Sequence, residues 1–336
     1  IDINNLGLSL LEISHRSKDF IKIIEEAKSL TKELLNIDEK YEVLFLQGGA
    51  SLQFYMSALN FATSNGKAGY IDTGTWSAKA IKESEKVGKT LTLASSKDKN
   101  YTYIPQYINS TENIDYLHFT SNNTIYGTQF QSFENMYKIA VSNNAKLICD
   151  MSSDIFSKQF DINQFDLIYA GAQKNIGPAG ATLVIIKKDA FTNNKKLPAY
   201  LNYQTHIDKK SMFNTPPVFS IYVCLLTLRW IKKLGGIKYI EKNNITKSKL
   251  LYNEIDRNSL FHGIVNKEDR SNMNVTFHLK NENNQEKFNK MCLNAGINGL
   301  HGHRSIGGYR ASIYNALEIE SVNVLIDTMK KLEKIQ

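Results

Sequence analysis

The chain has 336 residues, 42% of them apolar, and a formal charge of +8, enough length to bury a large core and to suggest two domains rather than one. No apolar run reaches the length of a membrane span and the opening Ile1-Asp-Ile-Asn-Asn5 lacks a signal-peptide pattern, so the expectation is a cytoplasmic protein without membrane association. The cationic surplus suits small acidic substrates better than nucleic acid, because the lysines are scattered through helical stretches such as 232–250 and no nucleic-acid-binding module is present.

Residues 17–37 carry apolar side chains near a helical period and open on the capping-type Ser17. Just before them, Glu12-Ile-Ser-His15-Arg16 reads by itself as a cap followed by a solvent-facing arginine. Residues 41–46 form a strand, followed by Gln47-Gly-Gly-Ala50-Ser51 and a helical pattern from Leu52. A strand, a glycine turn and a helix start together make an anion cradle, with free backbone N–H groups and the positive helix end aimed at one spot. The turn matches neither Walker A nor G-x-G-x-x-G, which argues against a nucleotide. A strand at 68–72 leads to Thr73-Gly-Thr-Trp76-Ser and a helix through about 87, which places Trp76 where it can be core or can stack on a flat heterocycle. The strand 114–120 contains His118, read as a core histidine, and runs into the polar turn Ser121-Asn-Asn-Thr124.

Three nearly continuous apolar runs, 145–149, 165–170 and 181–186, suit strands buried on both faces of a mainly parallel sheet. Asp150 and Lys174 each stand just past the end of such a run, and ligands of open α/β sheets bind outside the carboxyl ends of the strands. Lysine and carboxylate in one crevice can hold pyridoxal 5′-phosphate, the amine as a Schiff base and the acid against the pyridine nitrogen, or they can be a plain salt bridge. Gly171, Gly177, Pro178 and Gly180 bracket Lys174 with positions that let backbone approach a ligand or turn sharply.

Residues 188–208 read as a polar, irregular connection, and Ser211-Met-Phe-Asn214-Thr215-Pro-Pro as an extended linker. Helices at 219–234, with Trp230 as core, and at 236–258 are followed by a strand at 274–279, a helix at 285–295, a strand at 310–314 and a terminal helix from Ile319. The loop 299–310 packs two His, two Arg and four Gly into 12 residues. A metal at His301 and His303 is disfavoured, since no carboxylate or cysteine accompanies them and arginines repel a cation, whereas arginines suit bidentate capture of carboxylate or phosphate. Cys149, Cys224 and Cys292 lie in apolar contexts without metal-type spacing, as reduced buried thiols do.

Asp150-Met-Ser-Ser, Ala170-Gly-Ala-Gln-Lys174-Asn-Ile-Gly-Pro-Ala-Gly and Gly302-His-Arg-Ser-Ile-Gly-Gly-Tyr-Arg310-Ala-Ser-Ile-Tyr-Asn-Ala together resemble the phosphoserine aminotransferases, and the resemblance runs from about residue 7 to the end. It implies a fold-type I PLP-dependent transferase of class V, with a mainly parallel mixed sheet flanked by helices in a large domain, 1–243, and a smaller α/β domain, 244–336. It implies ping-pong transfer between L-glutamate and 3-phosphohydroxypyruvate, with 4-phosphohydroxythreonine as a further substrate. By the resemblance Lys174 is catalytic, and Ala50 and Ser51 touch the phosphate, Ser51 standing where some relatives have a basic residue. Trp76 stacks on the ring, Thr124 meets the ring hydroxyl, and Asp150 and Gln173 complete the pocket. Asn214 and Thr215 reach the cofactor phosphate of a neighbouring subunit, which implies a homodimer with shared active sites. His15, Arg16, His303, Arg304 and Arg310 bind the anionic substrate ends, Arg310 taking the α-carboxylate. Relatives begin with a Ser-Ala-Gly-Pro type segment that builds the pocket, so the expectation is that such a piece precedes Ile1. The rival readings are another fold-type I enzyme, such as a cysteine desulfurase or an alanine-glyoxylate type aminotransferase, and a basic binding protein without a chromophore.

Overall fold

The computed structural model describes residues 7–108, 112–191 and 196–335, so the opening Ile1–Asn5 and the segment expected before it lie outside the described residues. In chain order the elements are α1 (Lys18–Leu35), β1 (Tyr41–Leu46), α2 (Gly49–Phe61), β2 (Lys67–Asp72), α3 (Thr75–Glu85), β3 (Lys89–Ser95), β4 (Tyr116–Thr120), α4 (Glu134–Ser142), β5 (Lys146–Asp150), β6 (Leu167–Gly171) and β7 (Thr182–Lys187). There follow α5 (Tyr203–Asp208), α6 (Val218–Lys233), α7 (Gly236–Arg257), β8 (Phe261–Gly263), β9 (Asn274–Leu279), α8 (Gln285–Asn294), β10 (Tyr309–Ser312) and α9 (Ile319–Lys334).

Seven strands form one sheet in the order β1-β7-β6-β5-β4-β2-β3, parallel except for β7, which runs antiparallel to both neighbours. The apolar runs read from the sequence are its central strands, and they alternate between two cores. Phe45, Leu117, Cys149, Ile168 and Ile185 face a layer with α1, α4 and α6, while Leu44, Tyr116, Ile148, Tyr169 and Val184 face α2, α3 and α5. Because side chains of a strand point alternately to opposite faces, a strand covered on both sides must be apolar throughout. His118 is core, as read: it is fully buried, stacked at 4.7 Å on Tyr70 and 2.7 Å from the Tyr169 hydroxyl. Burial pushes its imidazole down to about 3, so it stays neutral.

A second sheet, β10-β9-β8, is antiparallel and shares a separate core with α7, α8 and α9. Helix α7 packs against α1 and α6 on one side and β8, β9 and α9 on the other. Two readings need correction here. The connection 188–208 is not irregular throughout, since Asn202 accepts from the Gln204 amide at 2.9 Å and caps the short helix α5. The last strand ends at Ser312 rather than Tyr314, because the carbonyls of Ile313 and Tyr314 accept from Lys247 of α7 instead of extending the ladder.

Ser17 caps α1 as read, its hydroxyl accepting from the Phe20 amide at 3.2 Å. Ser17→Ala is expected to lower unfolding stability by about 1 kcal/mol, measurable by urea denaturation, with no change in the site described next.

Candidate active site

Five parallel strands deliver their carboxyl ends to one edge of the large sheet. There β1 runs into Gln47, β2 into the turn before Trp76, β4 into the turn holding Thr124, β5 ends on Asp150 and β6 leads to Lys174. The Thr124 turn is closed by Asn123 and Thr128, which exchange a 2.8 Å backbone bond and a 3.0 Å side-chain bond. Gly127 in that turn has φ +84°, and a Cβ there would lie 2.6 Å from the Thr276 hydroxyl, so β9 fits against the turn only because no side chain intervenes.

Lys174 sits in the connection between β6 and β7, which the Ala172 amide anchors by donating to the Ala181 carbonyl at 3.0 Å. Its Nζ donates to Thr124 Oγ1 at 2.5 Å and lies 5.9 Å from the centre of the Trp76 ring. Burial pushes the amine down to about 8; the Asp150 carboxylate pulls against that shift and the Arg310 guanidinium adds to it. The neutral, nucleophilic amine therefore becomes abundant at lower pH than in an ordinary lysine. In protein free of any ligand, modification of Lys174 by an amine-directed reagent is expected to rise with pH through a midpoint near 8, readable by peptide mass spectrometry.

Asp150 is buried, and Oδ1 accepts from the Ser152 amide at 2.9 Å and the Ser152 hydroxyl at 2.6 Å. Burial raises its carboxyl, opposed first by the Ser152 bonds and then by Lys174. A cationic N–H placed against this acid would offset the burial and hold it ionised.

Strand, glycine turn and helix follow one another as read, although the helix begins at Gly49 rather than Leu52. Gly48 adopts φ +88° and starts α2 at Gly49, Ala50 and Ser51, whose amides stand in the unpaired first turn of the helix. Over it lies the 211–217 loop, held by Gln47 Nε2 donating to the Thr215 carbonyl at 2.5 Å. Asn214 and Thr215 are exposed, and Thr215 shares a cleft of about 400 Å³ with His15. Gln173 and Arg16 are exposed as well.

Arg310, on β10, is close enough to bear on the charge of Lys174, whereas no hydrogen bond or ion pair among the described residues ties His303 or Arg304 to this cluster. Arg304 is exposed and His303 bonds Ser305 Oγ at 2.7 Å. Three of the gathered side chains carry buried polar atoms without a hydrogen-bond partner: Trp76 Nε1, His15 Nε2 and Arg310 Nε. Such atoms cost about 1–3 kcal/mol each when unpaired, so a polar group bound here would offset part of that cost. An amine, a buried acid, an indole and a helix N-terminus together fit a flat phosphorylated heterocycle bearing an aldehyde.

Residues 2–325 match the family model described as aminotransferase class-V. The phosphoserine aminotransferase of Flavobacterium psychrophilum is 57% identical over 99% of this chain and 92% of its own length. The solved phosphoserine aminotransferase of Bacillus circulans subsp. alkalophilus superposes with a TM-score of 0.95 at 42% identity, covering 100% of this chain and 92% of that one. A further solved phosphoserine aminotransferase, whose structures follow radiation damage of its Schiff base, is 47% identical with a TM-score of 0.94, covering 99% of this chain and 92% of that one. The chain belongs to the phosphoserine aminotransferase family of class-V aminotransferases.

In this aminotransferase one neighbour of the site escaped the sequence reading. Ser152 was recognisable in principle, because an Asp bonded to the amide two residues on is an Asx turn. Cys149 and Cys224 are buried and free, and burial pushes the Cys292 thiol up to about 11, which leaves a cysteine desulfurase without its exposed nucleophile. Among the described residues no helix is long and apolar enough to cross a membrane.

Proposed function

We propose that this chain, with pyridoxal 5′-phosphate bound, moves an amino group in two half-reactions between L-glutamate and 3-phosphohydroxypyruvate, giving O-phospho-L-serine and 2-oxoglutarate. The observation that carries the reading is the amine of Lys174, lowered to about 8, among Asp150, Thr124 and Trp76 at the strand tips. The names of the relatives support the substrate pair.

When bound, the cofactor supplies an aldehyde that accepts the amino group and a cationic ring that draws electrons from the substrate Cα. Lys174 Nζ would anchor it and, once released, would take the proton from the substrate Cα and, as general acid, deliver it to the carbon that carried the aldehyde. Asp150, oriented by Ser152, would meet the ring nitrogen. Thr124 and Gln173 would hold the ring edge, and Trp76 would stack on the ring. Ala50 and Ser51 present the helix amides to the phosphate; because Ser51 is neutral, Asn214 and Thr215 of a second copy complete that contact. Arg310 takes the α-carboxylate in bidentate fashion, and His15, Arg16, His303 and Arg304 receive the distal carboxylate or phosphate. The exposure of Arg16, Arg304, Asn214 and Thr215 supports a homodimer with shared active sites, as do Leu11 and Phe219, which are 73% and 44% exposed on the same face as His15. The same anion spacing admits 4-phosphohydroxythreonine. A division at residues 243 and 244, within the N-terminal turns of α7, separates the large and small domains, and the protein works in the cytoplasm.

Purified protein should be yellow, and borohydride should bleach it and leave the cofactor attached to Lys174. Offered with glutamate, phosphohydroxypyruvate should be consumed well ahead of glyoxylate and pyruvate; equal rates would reject the phosphate-binding assignment.

A further inference from the structure

Beyond Asp150 the chain runs through residues 151–157, where three consecutive carbonyls are each taken by the side-chain amide of a buried asparagine from elsewhere in the sequence. Asn175 Nδ2 donates to the Ile155 carbonyl at 3.1 Å, Asn315 Nδ2 to the Phe156 carbonyl at 3.0 Å and Asn244 Nδ2 to the Ser157 carbonyl at 3.2 Å. The asparagines are also joined to one another. Asn175 Oδ1 accepts from the Asn315 amide at 3.1 Å, and Asn315 Oδ1 accepts from Asn244 Nδ2 at 2.8 Å. They are 5%, 7% and 1% exposed in the order 175, 315 and 244, so water does not compete for these bonds.

Each asparagine brings a different piece of the molecule to this point. Asn175 follows Lys174 directly, in the turn that the Ile176 and Gly177 amides close by donating to the Ala172 carbonyl at 3.2 and 2.9 Å. Asn315 stands in the turn after β10, the strand of Arg310, and Asn244 stands on α7. The carbonyls they meet belong to the continuation of β5, which ends on Asp150. An asparagine side chain has an acceptor end and a donor end, and Asn175 spends the first on the Arg310 side and the second on the Asp150 side. Phe156, the middle carbonyl of the three, is held at φ +57°, a left-handed conformation that a bulky residue keeps only where its surroundings impose it.

On the reading of Lys174 as the cofactor lysine, we propose that Asn175 is a positioning residue for the amino transfer. Its side chain fastens the Lys174 turn both to the chain that follows Asp150 and to the turn that follows Arg310, and so fixes the spacing of amine, carboxylate and guanidinium. Asn315 and Asn244 brace the neighbouring carbonyls. Spacing governs rate here because a reacting group misplaced by about 1 Å costs about 10²-fold.

The test uses the full-length chain in two states. In cofactor-loaded protein, borohydride fixes cofactor on Lys174 and counts the sites, and kcat per counted site should fall about 10-fold or more in Asn175→Ala. In cofactor-free protein, trinitrobenzenesulfonate labels Lys174 and peptide mass spectrometry follows the rate from pH 6 to 11. Burial lowers this amine to about 8, and a turn released from both anchors lets water reach it. The labelling midpoint should therefore rise by about one pH unit. The charged groups facing the amine are Asp150, Asp154 and Arg310, and the variants retain all of them. A residue that only stabilised the chain would lower the unfolding temperature and leave both readouts of the folded protein unmoved, and that result overturns the proposal. If Asn175→Ala does not fold, Asn315→Ala decides. It keeps the backbone amide that Asn175 accepts from and removes the brace at Phe156, so kcat per site should fall about 3-fold and an unmoved value overturns the proposal. Absence of borohydride-fixed cofactor on wild-type Lys174 would reject the cofactor reading alone, because the labelling midpoint is read without cofactor and still reports whether Asn175 holds the amine.

Discussion

Lys174→Ala is expected to lower kcat for glutamate-dependent amino transfer by about 10³-fold or more, while the fold stays intact. The side chain is asked to anchor the cofactor and to move the Cα proton, and general acid–base catalysis alone contributes about 10²–10⁴-fold. The amine is suited to both tasks because burial brings it to about 8, close to neutral pH. Alanine leaves Asp150 buried without its nearby cation, so a modest fall in stability should accompany the loss of rate, most visible where the acid is ionised. Steady-state rates and borohydride labelling check this together. Retained wild-type turnover would mean that another group does the chemistry, and the assignment would be wrong.

Arg310→Gln is the second large effect. The guanidinium stands on β10 beside Lys174 with a buried Nε that lacks a partner. Removing one member of a buried, hydrogen-bonded charge pair costs about 2–5 kcal/mol, so kcat/KM should fall by about 30-fold to about 5 × 10³-fold. The loss should appear for both glutamate and phosphohydroxypyruvate, because each presents an α-carboxylate to the same fork. Arg310→Lys should recover only part of it, since a single ammonium lacks the paired donors. Equal KM values for wild type and Arg310→Gln would place the carboxylate elsewhere.

Much of this arrangement was legible in the residues themselves. Continuous apolar runs announced β5, β6 and β7, and the residues after two of them marked Asp150 and Lys174. The direction of β7 was not read, although the connection 172–181 is too short for the crossover that a parallel strand requires. Strand β3 was missed because it is an edge strand whose exposed Lys89 and Thr92 interrupt the apolar signal. The cradle was visible because strand, glycine turn and helix follow one another in sequence. The inward bonds of Lys247 were invisible because its carbonyl partners are remote in the chain, and a lysine in an amphipathic helix carries no mark that it points inward. Single residues such as Arg304 and Asn214 gained meaning only from the resemblance, since in one copy they face solvent.

The antiparallel sheet places Arg310 near the end of the polypeptide, against a cluster assembled from residues 47 to 174. During synthesis on the ribosome, then, Asp150 and Lys174 emerge long before the guanidinium that bears on the charge of the amine. A nascent chain halted after α7 would carry the lysine without that neighbour, and vectorial translation thus leaves the electrostatic setting of the amine to be completed in the final tenth of the molecule.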